Sequence, residues 1–301
     1  MKALVMGAGS IGSLFAAYLA KQGWEVTIIA RRTHVEAVRS RGLRVEGPLG
    51  SFTAKVEAYE DPGLVKDSFN LVLITVKAYD TKQAAMQVRP LIKQGAVPLC
   101  LQNGLGVEIE ASQALGVKVY RAVTSNGALL AEPGFIKHTG LGETLMSGSQ
   151  PILDELVEAL KASGLPAKKV EDIEGAVWLK TLINAGINPL GAITGLRNGE
   201  LLEVGWLREL MRRVVEEGWR VASKKGIKLK EDPVEATFRV AKATAFNKNS
   251  MLQDLERGRR TEVDYINGAI AREAKGLGVE APLNEALAIM VKAMEARPWR
   301  T

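Results

Sequence analysis

The feature that most constrains this chain is a cluster of three glycines near its start. Gly7, Gly9 and Gly12, within Gly7-Ala8-Gly9-Ser10-Ile11-Gly12, stand between a short apolar run and a helical pattern. Residues 2–6 read as a buried strand, 11–22 carry apolar residues at helical spacing up to Gly23, and 25–30 are β-branched and apolar enough for a second buried strand. A helix between two such strands makes them parallel. Three glycines in six residues also occur in ordinary turns, so spacing alone says little. Their place between strand and helix, in a βαβ unit of about thirty residues, is what marks a dinucleotide-binding turn. In that reading Gly7 permits the tight turn, Gly9 lets the backbone approach a pyrophosphate and Gly12 lets the helix pack closely. Ala8, Ser10 and Ile11 complete the cofactor-binding set, and the helix N-terminus faces the phosphate charge.

A site selective for NAD places an acidic side chain at the end of the second strand, about twenty residues beyond the glycines. Ala30-Arg31-Arg32 stands there instead. The planar fork of a guanidinium suits phosphate oxygens, so Arg31 points to a 2′-phosphate and to NADPH/NADP+, with Arg32 a solvated neighbour. Two further strand ends carry candidates. Lys77 follows the apolar run 71–76 and reads either as a contact to cofactor phosphate or ribose, or as a solvated lysine starting a helix. Asn103, in Gln102-Asn103-Gly104, reads either as an amide offered to nicotinamide or substrate, or as a turn-forming Asn-Gly.

Strand-like runs at 97–101, 119–129, 135–146 and 167–170 accompany helical stretches at 81–91 and 152–163. After Asp172 strand-like alternation stops and helical periodicity takes over through Lys292. The expected fold class is an α/β Rossmann-like dinucleotide-binding domain, residues 1–170, followed by an all-helical domain, residues 171–301. Along 207–225 the spacing puts Leu210, Val214, Trp219 and Val221 near one face, and Arg212, Arg213, Glu216 and Glu217 largely on the other.

Composition removes several classes of function. A single cysteine, Cys100, in an apolar stretch excludes an internal disulfide, and with only two histidines, His34 and His138, no zinc site is expected. The net charge of +6 comes from basic residues scattered among acidic ones, so no nucleic-acid partner is expected and a small anionic ligand fits better. No run is long enough for a membrane span or a signal sequence, which makes a cytoplasmic protein the expectation. Helical faces such as 207–225 are of a kind that often pairs, so a homodimer through the helical domain is an expected assembly.

From Gly175 to Leu196 the only charged residue is Lys180. A lysine among apolar neighbours is desolvated, which lowers its pKa toward values useful for proton transfer. Lys180, Asn184 and Asn188 are spaced i, i+4, i+8 and form one polar stripe on an otherwise apolar helix, which Pro189 ends or kinks. Buried amides need partners, so the stripe faces either other polar groups or a ligand-filled cleft. An ammonium group there can stabilise and protonate the oxygen of a ketone receiving hydride, and Asn184, Asn188 and Asn198 can hold carboxylate or hydroxyl oxygens. The segment 247–268 is dense in small polar groups; by spacing Thr261 is a helix N-cap and Glu262 a first-turn acid.

Taken together, these blocks closely resemble the ketopantoate reductases, from Met1 almost to the C-terminus. They are the glycine turn with Arg31, the Val76-Lys77 and Gln102-Asn103-Gly104 strand ends, the Trp178-x-Lys180 helix with Asn184 and Asn188-Pro189, and the 247–268 segment. The resemblance implies that Lys180 is the general acid and that Asn184, Asn188, Asn198 and Ser250 bind a keto acid. It implies too that Glu262 orients cofactor ribose and substrate and that Asn103 sits beside the nicotinamide. The expected activity is NADPH-dependent reduction of 2-dehydropantoate to (R)-pantoate, in a cleft between the domains. Two departures stand out: Asn249 replaces the first of two serines usual before the methionine, and Thr124-Ser125-Asn126-Gly127-Ala128 differs from the commoner pattern. Reduction of another small 2-keto acid, or a non-catalytic NADPH-binding sensor, are the alternatives.

Overall fold

The computed structural model describes residues 1–296. It divides into two compact units, Met1–Gln102 with Val107–Ile173, and Asn103–Gly106 with the residues from Glu174 onward.

The first unit begins β1 (Lys2–Met6), α1 (Ser10–Lys21), β2 (Glu25–Ile29), α2 (Arg32–Arg41), β3 (Leu43–Gly47), β4 (Gly50–Ala54), β5 (Glu57–Tyr59), β6 (Leu71–Ile74) and α3 (Thr81–Lys93). It continues β7 (Val97–Cys100), α4 (Val107–Leu115), β8 (Tyr120–Thr124), β9 (Gly127–Glu132), β10 (Phe135–Gly140), β11 (Thr144–Ser147), α5 (Pro151–Ala162) and β12 (Ala167–Lys169). Eight strands form one sheet in the order β12-β11-β8-β7-β6-β1-β2-β5. From β8 to β5 every pairing is parallel, and β11 runs antiparallel to β8. The parallel strands are short apolar runs because helices cover them: β6, Leu71–Ile74, is buried throughout. Strand order reverses beside β1, with β2 on one side and β6 on the other, and open α/β sheets gather ligands outside the carboxyl ends of such strands.

A second sheet, β4-β3-β10-β9, was not foreseen as a separate element. The strand-like stretches 119–129 and 135–146 divide between the two sheets, and β3 pairs in parallel with β10. The consequence is visible in α1, whose residues Gly12–Leu19 are all buried, because it packs on both sheets rather than showing a face to water. Cys100 is fully buried, and burial pushes its thiol up to about 12.

The second unit is helical: α6 (Glu174–Thr194), α7 (Glu200–Glu203), α8 (Gly205–Lys224), α9 (Pro233–Ala243), α10 (Ser250–Glu256), α11 (Asn267–Gly276) and α12 (Pro282–Glu295). The apolar α6 is its axis and packs against α8, α9, α10 and α12. Glycines let α6 and α8 approach: a Cβ on Gly186 would lie 2.7 Å from Val215 Cγ2, and one on Gly218 would lie 2.5 Å from Leu182 Cδ2. No helix among the described residues is long and apolar enough to cross a membrane.

Of the two outcomes expected at Pro189 one does not occur, and the expectation that Glu217 faces away from the core is corrected. Pro189 does not end α6, which runs on to Thr194. Proline lacks the N–H that would bond the carbonyl four residues back, Ala185, and Asn267 Nδ2 donates to that oxygen at 3.1 Å instead. Glu217 does not face solvent; it is 2 % exposed. Its carboxylate accepts from Leu283 N and Asn284 N at 3.0 and 2.8 Å, at the N-terminus of α12, where unpaired N–H groups favour an anion.

Candidate active site

Each unit carries one group of the residues singled out by the sequence. In the first, Gly7 follows β1 with φ +91°, and a Cβ there would lie 2.3 Å from Val76 Cγ1, so neither the conformation nor the space admits a side chain. A Cβ on Gly12 would lie 2.3 Å from Thr75 Oγ1, and that hydroxyl donates to Gly7 O at 2.9 Å. The turn after β1 and the end of β6 are thus bound together. Around Gly9 the situation is opposite: a Cβ would meet nothing nearer than Gly7 O at 4.0 Å. Gly9 also stands at the N-cap of α1 with no side chain capping it, and no acidic residue lies in the first turn. Open space in front of uncapped N–H groups at a helix N-terminus fits the pyrophosphate of a dinucleotide.

The remaining candidates of this unit lie at strand ends. Arg31 is the exposed N-cap residue of α2, while its neighbour Arg32 is engaged by Glu36 at 2.8 Å, as a solvated residue should be. Lys77 is half-buried and precedes a short 3-10 turn, Ala78–Asp80.

In the second unit, Lys180, Asn184 and Asn188 lie along one side of α6 as their spacing requires. Lys180 and Asn184 are half-buried, and Asn188 is buried. Asn198 lies beyond the end of α6; its Nδ2 donates to Thr244 Oγ1 at 2.8 Å, and its N–H donates to Asn247 O at 3.1 Å. Ser250 is the first residue of α10, and the Asn249 before it supplies the helix cap, with Oδ1 accepting from Leu252 N at 3.0 Å. An asparagine caps a helix as well as a serine does. Glu262 is only 6 % exposed. Asn103 Nδ2 approaches its Oε2 at 3.4 Å, the outer limit of a hydrogen bond, so these two candidates stand together within the second unit. Gly104 has φ +86°, and a Cβ there would lie 2.5 Å from Tyr265 O, which agrees with the turn reading of Asn103-Gly104. Thr261 Oγ1 accepts from Val263 N at 3.2 Å, but the N-cap of the short 3-10 turn Val263–Tyr265 is Glu262, one residue later than expected.

The ketopantoate reductase PanE/ApbA model matches residues 3–150, and that for the PanE/ApbA C-terminal part matches 172–295. The chain belongs to the ketopantoate reductase family. It is 40% identical to the 2-dehydropantoate 2-reductase of Pyrococcus horikoshii, over 98% of each chain. Among solved structures it resembles a PanE/ApbA family ketopantoate reductase from Ralstonia eutropha, with TM-score 0.93, 35% identity and 100% of both chains covered. It also resembles D-mandelate dehydrogenase in its ternary structure with NADH and anilino(oxo)acetate, with TM-score 0.89, 29% identity and 98% and 99% of the chains covered. Membership makes the chain an oxidoreductase with a dinucleotide-binding fold.

The reading from sequence missed the polar residues that frame the family's lysine helix. Asn267 Nδ2 donates to Asn284 Oδ1 at 3.0 Å, and Asn284 Nδ2 donates to Glu217 Oε1 at 2.8 Å. These lie between helices and show no local pattern; the one usable signal was Pro189, which leaves the Ala185 carbonyl in need of a donor from elsewhere.

Proposed function

We propose that the chain is an NADPH-dependent 2-dehydropantoate 2-reductase that forms (R)-pantoate for pantothenate and coenzyme A biosynthesis. Residues 1–170 bind the nucleotide and 171–301 bind substrate and carry the catalytic groups. The reading is carried by the row of Lys180, Asn184 and Asn188 on α6, where Lys180 is the one charged residue between Gly175 and Leu196, in a chain so similar over its length to a 2-dehydropantoate 2-reductase.

Gly7, Ala8, Gly9, Ser10, Ile11 and Gly12 would hold the nucleotide pyrophosphate, Arg31 its 2′-phosphate, Lys77 a phosphate or ribose, Glu262 a ribose, and Asn103 would lie beside the nicotinamide. Bound there, the reduced nicotinamide supplies the hydride for C2 of the keto acid. Lys180 stabilises the negative charge developing on the carbonyl oxygen and transfers a proton to it, and the amine left behind regains a proton from water. Asn184, Asn188, Asn198 and Ser250 hold the carboxylate and hydroxyl oxygens without adding charge that would compete with Lys180. Glu262 orients substrate and ribose. A cytoplasmic location and a homodimer through the helical part belong to the same proposal; Trp206 at the start of α8 is 88% exposed and offers apolar surface there.

A second reading, reduction of a different 2-keto acid, is favoured by the likeness to D-mandelate dehydrogenase. The deciding experiment follows loss of nicotinamide absorbance with 2-dehydropantoate and with an aromatic and a small aliphatic 2-keto acid, each with NADPH and NADH. Turnover confined to 2-dehydropantoate and NADPH supports the proposal; preference for another keto acid selects the second reading, and no turnover at all rejects both. In the productive pair, Lys180→Ala should lower kcat by about 10²–10⁴-fold while leaving the nucleotide Kd unchanged.

A further inference from the structure

His34 takes no part in the chemistry above, yet it is 4% exposed and bonded at both ring nitrogens. Gly134 N donates to Nδ1 at 3.0 Å, so that nitrogen carries no proton in the neutral ring. The ring proton is therefore on Nε2, which lies 3.1 Å from Ser13 Oγ and donates to it. Ser13 in turn donates to Ala8 O at 3.2 Å. A directional relay thus runs from the β9–β10 hairpin through His34 and Ser13 to the carbonyl of Ala8, inside the glycine turn.

That carbonyl is a consequential place to hold. Because the peptide is planar, fixing Ala8 O also fixes the direction of Gly9 N–H, which donates to Gly7 O at 2.7 Å. With the Ala8–Gly9 peptide held on both sides, the uncapped N–H groups at the start of α1 keep one direction. The hairpin touches the turn a second time, where Leu130 N donates to Ser10 Oγ at 3.1 Å. His34 also sits in the first turn of α2, three residues after the N-cap Arg31, so one side chain ties the glycine turn to the helix start proposed to meet the 2′-phosphate.

We propose that His34, acting through Ser13, is a positioning residue for nucleotide binding: it presets the Ala8–Gly9 peptide so that the α1 N-terminus is aimed before the nucleotide arrives. The proposal rests on the nucleotide-binding reading of the turn. Preorganised donors cost nothing to reorganise when the ligand binds, so their loss appears in affinity.

The test uses the full chain, NADPH titrated against intrinsic tryptophan fluorescence, and steady-state kinetics with 2-dehydropantoate. The variants are His34→Phe, which keeps a ring without nitrogens, Ser13→Ala, the two together, and His34→Gln, which restores a donor toward Ser13. Each single loss should weaken NADPH binding about threefold to tenfold, the worth of one net hydrogen bond, and raise the KM for NADPH with kcat little changed. Links of one relay are not additive, so the double variant should bind no more weakly than either single one, and His34→Gln should recover most of the affinity. Should His34→Phe not fold, Ser13→Ala alone decides. An unchanged Kd in folded Ser13→Ala, or strictly additive losses, overturns the relay, whereas a wild-type chain that does not bind NADPH overturns the nucleotide reading and the proposal with it.

Discussion

The two units hold their candidate binding groups by opposite means. In the first, the decisive residues are those without side chains: Gly7 and Gly12 leave no room for a Cβ, and Gly9 leaves room in front of the backbone. In the second, the work falls to amide side chains, and asparagines of the same type serve the frame as well as the candidate site. Asn267 completes α6 where Pro189 cannot, and Asn249 caps α10. A site made of backbone is specified by what must be absent, and a site made of side chains is specified by which faces they occupy.

Substitutions can break this contrast. The strongest should be Gly7→Ala, where a positive φ and a Cβ 2.3 Å from Val76 combine. A destabilisation of about 2–4 kcal/mol is expected, with loss of NADPH binding, read by denaturant unfolding and titration. Unaltered binding would mean that the turn is not fixed by its glycines. Next is Asn267→Leu, which leaves Ala185 O and Asn284 Oδ1 without their donor. It should cost about 2–3 kcal/mol of stability, yet leave kcat near wild type at temperatures where the variant is folded. A selective loss of kcat would move Asn267 from frame to site.

A smaller effect is expected at Gly191, where a Cβ would lie 2.2 Å from Asn249 Nδ2. Gly191→Ala should displace the cap of α10 and cost about 1–2 kcal/mol. In an Asn249→Ser background, where the shorter side chain still caps, the same change should cost less; equal costs would uncouple the two positions.

The smallest effect separates the units by pH. Both histidines of the chain lie in the first unit, and burial lowers the pKa of each from its ordinary value. The unfolded chain then binds protons more readily, so their contribution to stability is complete above about pH 6.5 and declines as pH falls from there toward the depressed values. In the second unit Asp264 behaves otherwise. Burial opposes its charge, but bonds from Lys292 and Arg260 outweigh this and hold its carboxyl below the usual range, so its contribution lasts to about pH 3.8 and is lost below. Pulse-labelling hydrogen exchange across a urea series, above and below about pH 6.5, should show acid weakening in the first unit before the second. Equal weakening in both would break the contrast.

The same difference governs what the sequence made legible. Strand, glycine turn and helix at residues 2–21 follow from local pattern, because each glycine states a backbone requirement at its own position. The second sheet does not, since β3 is five residues long with a mixed burial pattern and finds its parallel partner in β10, far along the chain. In the helical unit the stripe on α6 was visible through its spacing, whereas Glu217, read as solvent-facing, is buried because α12 brings its N-terminus to it. Polar side chains that serve distant backbone groups leave no periodic trace.

Asn103–Gly106 belongs by its contacts to the helical unit, although β7 precedes it and α4 follows it in the first. The chain therefore makes one small piece of its second unit long before the rest: Asn103 precedes Glu262 by 159 residues. During synthesis from the N-terminus that piece must wait, and Leu105 N gains its partner, Tyr265 O, only when the chain is nearly complete. Nor can the helices be transplanted as a contiguous cassette: a segment excised from Glu174 onward leaves behind the neighbour of Glu262, so a modular exchange of this half with another reductase has to carry four residues from the other half.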